Sequence, residues 1–324
     1  MLFFPSVIGT GTNIFFILSG FLTSRVQIQN EEMKYINPQN VITYYTKKAF
    51  RLIPGYIVVV FALLQLIPNF ELWDSLTLVN PWGYLWFIQH MVILYAITPF
   101  MFILICIIKR FLHFNNFMVS ILLFAIFVIL VFPPPPPIQR FWSHSIIPFL
   151  RNTNGGTPLR LGTYLFGFTI GYCLKDMRSF KLLRSRAISL LFDIVWIFCL
   201  WIVINPDILQ IIAHHIIIYY ALLQLLVLIP YIKHDGFVHA FLTQKAIVKI
   251  GQMDYEMYLF HYPFYYVLYY YFVFTHGDDD INVIAFFLTY ILCLFTSFFF
   301  KTNLTPIISN ISLKVSKTIM SIKK

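Results

Sequence analysis

Nine apolar runs, nearly free of charge and separated by basic or polar segments, constrain this chain more than any other feature. They lie at about 1–24, 52–70, 82–108, 112–132, 159–174, 187–204, 208–232, 247–275 and 281–300. Several reach the roughly 18–20 residues that cross about 30 Å of hydrocarbon at 1.5 Å rise per residue. Those at 52–70, 112–132 and 159–174 are short or proline-flanked, and their ends are the least defined. Of the 324 residues 59% are hydrophobic and 11% charged, against about 25% charged in a soluble domain. A water-soluble globular protein is excluded. With 13 glycines, 17 prolines and no sustained heptad, disorder, collagen and coiled coil fail as well. The expected fold class is all-α, a polytopic transmembrane helix bundle of about nine spans. Cys106, Cys173, Cys199 and Cys293 all sit inside apolar runs, as small buried hydrophobes rather than a disulfide framework or a zinc site.

The formal charge of +10 would suggest nucleic acid in a soluble protein. Here it reports orientation. Nine crossings alternate the connecting segments between two compartments, and 25–51, 109–111, 175–186, 233–249 and the tail from Lys301 hold 20 of the 23 Lys and Arg residues. The opposite set keeps Arg140, Arg151 and Arg160, together with Glu71, Asp74, Asp207 and the run Asp278, Asp279, Asp280. By the positive-inside rule the basic segments and the C-terminus are expected in the cytoplasm, and Met1 outside. No basic segment precedes the first run, so it does not resemble a cleavable signal peptide. A first span inserts this way when positive charge follows it; a missing upstream helix would give the same geometry. The domain reading is a membrane domain over 1–300 and a basic cytoplasmic tail over 301–324.

Pro133 to Pro137 form a stiff extended spacer into an outer loop. Trp82, Trp86, Trp142, Tyr219 and Tyr220 lie near span ends, where an aromatic belt is expected. No repeat of solenoid length is evident.

Three segments depart from lipid-facing sequence. In Gly11-Thr12-Asn13-Ile14-Phe15-Phe16-Ile17-Leu18-Ser19-Gly20-Phe21-Leu22, Ser19 and Gly20 permit close approach of a neighbouring helix. In Tyr44-Tyr45-Thr46-Lys47-Lys48-Ala49-Phe50-Arg51-Leu52-Ile53-Pro54-Gly55-Tyr56, Lys48 and Arg51 are three apart and share a helical face. Pro54 suits the start of a helix better than its interior. The pair fits a phosphorylated ligand, Arg51 as a bidentate fork and Lys48 as a point charge; it equally fits a positive-inside anchor that snorkels to headgroups. In Gly251-Gln252-Met253-Asp254-Tyr255-Glu256-Met257-Tyr258-Leu259-Phe260-His261-Tyr262-Pro263, four groups fall within about 60° at 100° per residue. They are Asp254, Tyr258, His261 and, one turn on, Tyr265; Glu256 points to the opposite side. Ionisable groups facing lipid cost at least a few kcal/mol, so this stripe is expected to face the bundle interior. It has the ingredients of general acid–base chemistry or a proton relay; an interhelical hydrogen-bond cluster that only fixes packing would look the same.

Other groups carry less. His214 and His215 have no carboxylate or Cys at ligand spacing, so no metal site is expected. His90 reads as a satisfied interfacial histidine, and Asp193 as a structural partner of Arg186 or a neighbouring helix. Arg140, Trp142, His144, Arg151 and Asn152 suit a polar acceptor or merely a loop and belt. No phosphate-binding glycine loop, nucleophile elbow or dinucleotide fingerprint is present.

Together these segments resemble the membrane-bound acyltransferase family 3, integral-membrane O-acyltransferases. The first is similar to the family's Gly-Val-Asp-x-Phe-Phe-Val-Leu-Ser-Gly-Phe-Leu stretch, with Thr12 and Asn13 in place of Val and Asp. The second resembles its Arg-x-x-Arg-Ile-x-Pro-x-Tyr stretch, with Lys48 in the first Arg position and Arg51, Pro54 and Tyr56 in place. Leu85-Trp86-Phe87-Ile88 with Tyr95 and Pro99, and Tyr164-Leu165-Phe166-Gly167 with Gly171-Tyr172, resemble two further helices of the family. Asp254 to Pro263 resembles its closing Ser-Tyr-x-x-Tyr-Leu-x-His-x-Pro. Each stretch is short, but all five fall in the family's order over about 9–300.

The resemblance implies transfer of an acyl group, most often acetyl, from cytoplasmic acyl-CoA to a hydroxyl of an extracytoplasmic glycan or lipid-linked sugar. It implies Lys48 and Arg51 as donor contacts, His261 and Tyr258 lining the transfer site with Asp254 on their stripe, and Ser19 packing nearby. Acyl-CoA is then a donor substrate rather than a tightly bound cofactor, and the membrane is bacterial inner membrane, with no nucleic-acid partner. Two departures stand out. Members usually begin with an additional helix bearing a basic residue and, about ten positions on, an essential histidine; Met1 falls at what resembles the second helix, with no counterpart of that histidine. In another subset a glutamate pair follows Leu-Trp, where this chain has Met91 and Val92. A carrier for acylated sugar or lipid, or an inactive scaffold, are the competing readings.

Overall fold

A computed structural model describes residues 4–29, 37–78, 81, 83–113, 115–131, 157–177, 186–213, 216–232, 236–276 and 281–321, and every regular element among them is helical. The pentaproline, the outer loop from Arg140 to Asn152, Trp82, His214, His215 and the Asp278–Asp280 run lie outside the described residues. The chain divides into two bodies, Met1–Lys34 with Phe100–Gln244, and Tyr35–Pro99 with Lys245–Lys324. Four helices among the described residues are long and apolar enough to cross a membrane: Pro38–Leu66, Gly83–Leu112, Arg186–Ile204 and Ile284–Val315.

The first body holds α1 (Phe4–Gln29), the later part of α4 (Trp86–Leu112), α5 (Asn116–Val131), α6 (Thr157–Met177), α7 (Arg186–Ile204), α8 (Pro206–Ala213), α9 (Ile216–Ile232) and α10 (Phe237–Leu242). Helices α1 and α6 meet backbone to backbone. A Cβ on Gly20 would strike the Tyr164 carbonyl and the Phe168 amide, one on Gly167 the Ile17 carbonyl, and one on Gly171 the Ser24 hydroxyl. Gly167 packs on the Ile17 backbone, Gly171 on Phe21 and Ser24, and Gly20 on the backbone of Tyr164 and Phe168, so small residues replace the side chains that would otherwise hold two helices apart. The close approach anticipated at Gly20 is therefore made against α6. Beside it, Ile17, Phe127, Phe166, Tyr220 and Leu223 form an apolar core, with the Phe127 and Phe166 rings stacked at 4.5 Å. On α7 the face formed by Leu190, Ile194, Ile197, Trp201 and Ile204 is more than half exposed. An uncovered stripe of that size along a whole helix is suited to lipid.

The second body holds α2 (Pro38–Leu66), α3 (Leu72–Leu76), a short 3₁₀ turn (Gly83–Leu85), the first part of α4, α11 (Lys245–Gly251), α12 (Asp254–His276), α13 (Ile281–Phe299), a π turn (Phe300–Leu304) and α14 (Thr305–Ser321). Two boundaries differ from those expected. Helix α2 begins at Pro38, and Pro54 lies inside it rather than at its start. Asn37 caps that end, its side chain accepting from the Gln39 amide at 3.0 Å, with Pro38 in the first turn. This cap and proline give an N-terminus before the apolar run. The run at 247–275 is two helices, broken at Gln252 and Met253, because Asp254 starts a new helix and accepts from the Tyr255 amide at 2.8 Å.

Candidate active site

The second body brings together three of the sequence segments on α2, α4 and α12. Tyr45 on α2 donates to the Ala96 carbonyl on α4 at 2.7 Å, and Tyr255 on α12 donates to the Leu52 carbonyl on α2 at 2.6 Å. Tyr56 donates to the Ser75 carbonyl of α3. Each phenol spends its proton on a carbonyl of a neighbouring element, so the tyrosines fix the helices without leaving a buried donor unmade.

Lys48 and Arg51 share the face of α2 expected from their spacing but have different partners. The Lys48 ammonium lies 4.0 Å from the Tyr95 ring centroid and 5.7 Å from that of Tyr44. The Arg51 guanidinium is 4.0 Å from the Asp254 carboxylate, with the side chains 57% and 36% exposed. A pair so open to solvent contributes at most about 1 kcal/mol. Its use is orientation of Arg51.

Deeper along α12, Tyr84, Phe87, Tyr258, His261 and Tyr262 form one aromatic cluster. Tyr84 donates to the Leu259 carbonyl at 2.8 Å, while Tyr258 donates to the Tyr84 carbonyl at 2.6 Å. The Tyr84 ring stacks on Tyr262 at 4.9 Å and meets the edge of His261 at 5.1 Å; Phe87 lies 4.4 Å from Tyr258. His261 is bonded through Nδ1 to the Tyr258 carbonyl. A carbonyl only accepts, so Nδ1 carries the proton and Nε2 keeps the basic lone pair. That is the tautomer a general base at Nε2 requires.

The stripe of Asp254, Tyr258 and His261 thus faces α2 and the start of α4, although its members act separately. Asp254 and His261 are seven residues apart, roughly 10 Å along the axis; the carboxylate orients Arg51, and the imidazole is oriented by a backbone carbonyl. Tyr265 stacks on Tyr269 at 5.7 Å rather than on this cluster. Tyr84 was not among the expected site residues. An aromatic near a span end looks like a belt residue, and no periodicity links 84 to 258 or 261.

In the first body, Arg160 of α6 donates to the Asn13 Oδ1 of α1, Asn13 Nδ2 donates to the Tyr219 hydroxyl of α9 at 3.0 Å, and Tyr219 donates to Thr10 Oγ1 at 3.1 Å. Thr163 and Tyr220 share a bond of 3.0 Å beside them. These are the ends of three helices that the charge alternation assigns to one side. Ser19 lies on α1 next to Gly20. Asp193 is structural, as expected, with its partner on a neighbouring helix: its carboxylate accepts the Phe237 and Val238 amides at 2.6 and 3.1 Å and caps α10. His90 is buried, its Nδ1 bonded to the Trp86 carbonyl at 2.7 Å.

Among described residues whose regular elements are all helical, long apolar helices, basic groups near the middle of α2 and a histidine held in an aromatic cluster define a membrane protein with a candidate acid–base site. The family model described as "Acyltransferase domain", acyltransferase 3, matches residues 2–302. The chain belongs to the membrane-associated acyltransferase family 3. No curated protein and no solved structure is detectably similar to it.

Proposed function

We propose that the chain transfers an acyl group, acetyl first among the candidates, from cytoplasmic acyl-CoA to a hydroxyl of an extracytoplasmic glycan or lipid-linked sugar. The observation that carries this reading, beyond family membership, is the bond of His261 Nδ1 to the Tyr258 carbonyl, within one body that also holds Lys48 and Arg51. Lys48 and Arg51 hold donor phosphates. His261 Nε2 takes the proton of the acceptor hydroxyl as its oxygen bonds to the thioester carbonyl carbon. The carbon–sulfur bond then breaks, and the imidazolium returns the proton to the leaving thiolate, giving an ester and free coenzyme A. Tyr258 positions His261 and Tyr84 rather than moving a proton, and Asp254 positions Arg51. In this reading about nine spans lie in a bacterial inner membrane, residues 1–300 form the membrane domain, and the basic tail from Lys301 is cytoplasmic.

The test is thiol release from acetyl-CoA by the purified protein in lipid nanodiscs, with lipid-linked sugars and surface glycans as acceptors. At acetyl-CoA below saturation, acceptor-dependent release that is lost in His261→Ala and strongly reduced in Arg51→Ala supports the reading. Full transfer in both variants refutes it, and a carrier or scaffold would consume no thioester.

A further inference from the structure

A proline inside a helix carries no N–H, so the carbonyl four residues before it loses its helical donor. Two of the described helices meet this in the same way. In α9, Pro230 leaves the Leu226 carbonyl open, and the Trp196 indole of α7 donates to it at 2.9 Å. In α12, Pro263 leaves the Leu259 carbonyl open, and the Tyr84 phenol donates to it at 2.8 Å. Leu226 and Leu259 are both buried, and a buried carbonyl without a donor is costly.

The two donors differ in what else they touch. Trp196 packs against the apolar core of the first body. Tyr84 engages the α12 turn from Tyr258 to Tyr262 on several sides. Its carbonyl accepts from the Tyr258 phenol at 2.6 Å, its phenol donates to Leu259, and its ring stacks on Tyr262 at 4.9 Å and meets the edge of His261 at 5.1 Å. All of these groups lie in one body. Tyr84 sits in the 3₁₀ turn that begins at Gly83, whose φ of +49° suits glycine. The imidazole is itself bonded to the Tyr258 carbonyl on the same turn of α12. Loss of the phenol therefore loosens both the helical turn that carries the imidazole and the ring beside it.

We infer that Tyr84 is a positioning residue for His261: its phenol occupies the carbonyl that Pro263 leaves open, and this tie holds its ring against the imidazole. The role rests on the acyltransferase reading above, in which His261 Nε2 takes the acceptor proton. Trp196 makes the same kind of tie in the first body and serves there for stability alone.

The experiment compares wild type, Tyr84→Phe, Pro263→Ala, the double variant of these two, and Trp196→Phe in lipid nanodiscs. Melting is followed by circular dichroism. Acceptor-dependent thiol release gives kcat and donor KM at a temperature where every variant is folded. Magnetic resonance of nitrogen-labelled histidine, assigned through His261→Gln, reports on the imidazole. Tyr84→Phe is expected to melt a few degrees lower, with kcat down about tenfold and donor KM within about twofold of wild type. Trp196→Phe is expected to melt lower with kcat unchanged. Pro263→Ala supplies the missing helical N–H, so the double variant is expected to recover most of the melting lost in Tyr84→Phe. The two His261 nitrogens, distinct in wild type, are expected to approach an averaged shift in Tyr84→Phe. A merely structural Tyr84 would lower melting and leave kcat and the imidazole spectrum as in wild type, and that result overturns the inference. So does an equal loss of kcat in Trp196→Phe, or a double variant no more stable than Tyr84→Phe. If Tyr84→Phe does not fold, the double variant is compared with Pro263→Ala, and the same loss of kcat is expected. Wild type without turnover removes the acyltransferase reading, while the spectra and the melting comparison still decide the tie; turnover with an unaffected Tyr84→Phe does the reverse.

Discussion

Replacing Gly20 by alanine adds one methyl group at the closest approach of α1 and α6. Away from contacts, Gly→Ala inside a helix is favourable by roughly 1 kcal/mol. Here the new Cβ lies 2.9 Å from the Phe168 amide nitrogen and closer still to the Tyr164 carbonyl oxygen. Both are backbone atoms, so no rotamer change relieves the overlap and the helices must separate. Overpacking of this kind costs about 1–3 kcal/mol, and two backbone clashes place it at the upper end, for a net loss of roughly 2 kcal/mol. Gly11 supplies the control on the same helix, because a Cβ there meets nothing within 4 Å. Gly11→Ala is expected to be neutral or stabilising by up to about 1 kcal/mol. Reversible unfolding in mixed detergent micelles measures both. Gly20→Ala and Gly167→Ala together should cost less than their sum, since separating the helices once relieves both contacts. A Gly20→Ala protein as stable as Gly11→Ala would refute the backbone-contact argument.

Other expectations follow from single contacts. Asp193→Ala removes the acceptor for two amides at the start of α10 and should lower stability by about 1–2 kcal/mol, with melting as the readout. Asn13→Ala takes the Oδ1 partner from buried Arg160 and should cost about 2–3 kcal/mol, whereas Asn13→Asp keeps an acceptor and should be tolerated, as paired unfolding curves would show. In steady-state assays His261→Ala should lower kcat by about 100-fold or more with donor KM little changed. Arg51→Ala should raise donor KM and spare kcat. The opposite split would reverse the two roles. Tyr258→Phe keeps the rings but frees the Tyr84 carbonyl; its stability should fall by about 1 kcal/mol, measured by melting.

Where a pattern is local, the sequence carried it. The 100° spacing put Asp254, Tyr258 and His261 on one face, and the three-residue step put Lys48 with Arg51. The start of α2 at Asn37 and Pro38 was not read from the sequence, where the apolar run beginning at Leu52 marked the span and Pro54 its start; the helix instead continues through Pro54. What was not legible is the pairing across long separations. Nothing local in Tyr84 distinguishes it from a belt aromatic, yet it meets groups 174 and 175 residues away. Arg160 was counted as a loop charge, although its partner Asn13 is 147 positions earlier. Asp193 showed only that it needed a partner, since two bare amides at a helix start leave no mark in composition.

The contacts of Asn13 also have a consequence for biosynthesis. Its Oδ1 waits for Arg160 and its Nδ2 for Tyr219, which follow it by 147 and 206 residues. At about 5–20 residues per second of translation, α1 is made roughly 7–30 s before one partner exists and about 10–40 s before the other. During that interval α1 carries a polar amide and the bare backbone around Gly20 with nothing to receive them. The insertion machinery must therefore shelter α1 beside the translocation channel until α6 and α9 emerge. Substitutions at Asn13 or Gly20 should then reveal themselves first as changes in how long the nascent chain stays cross-linked to that machinery.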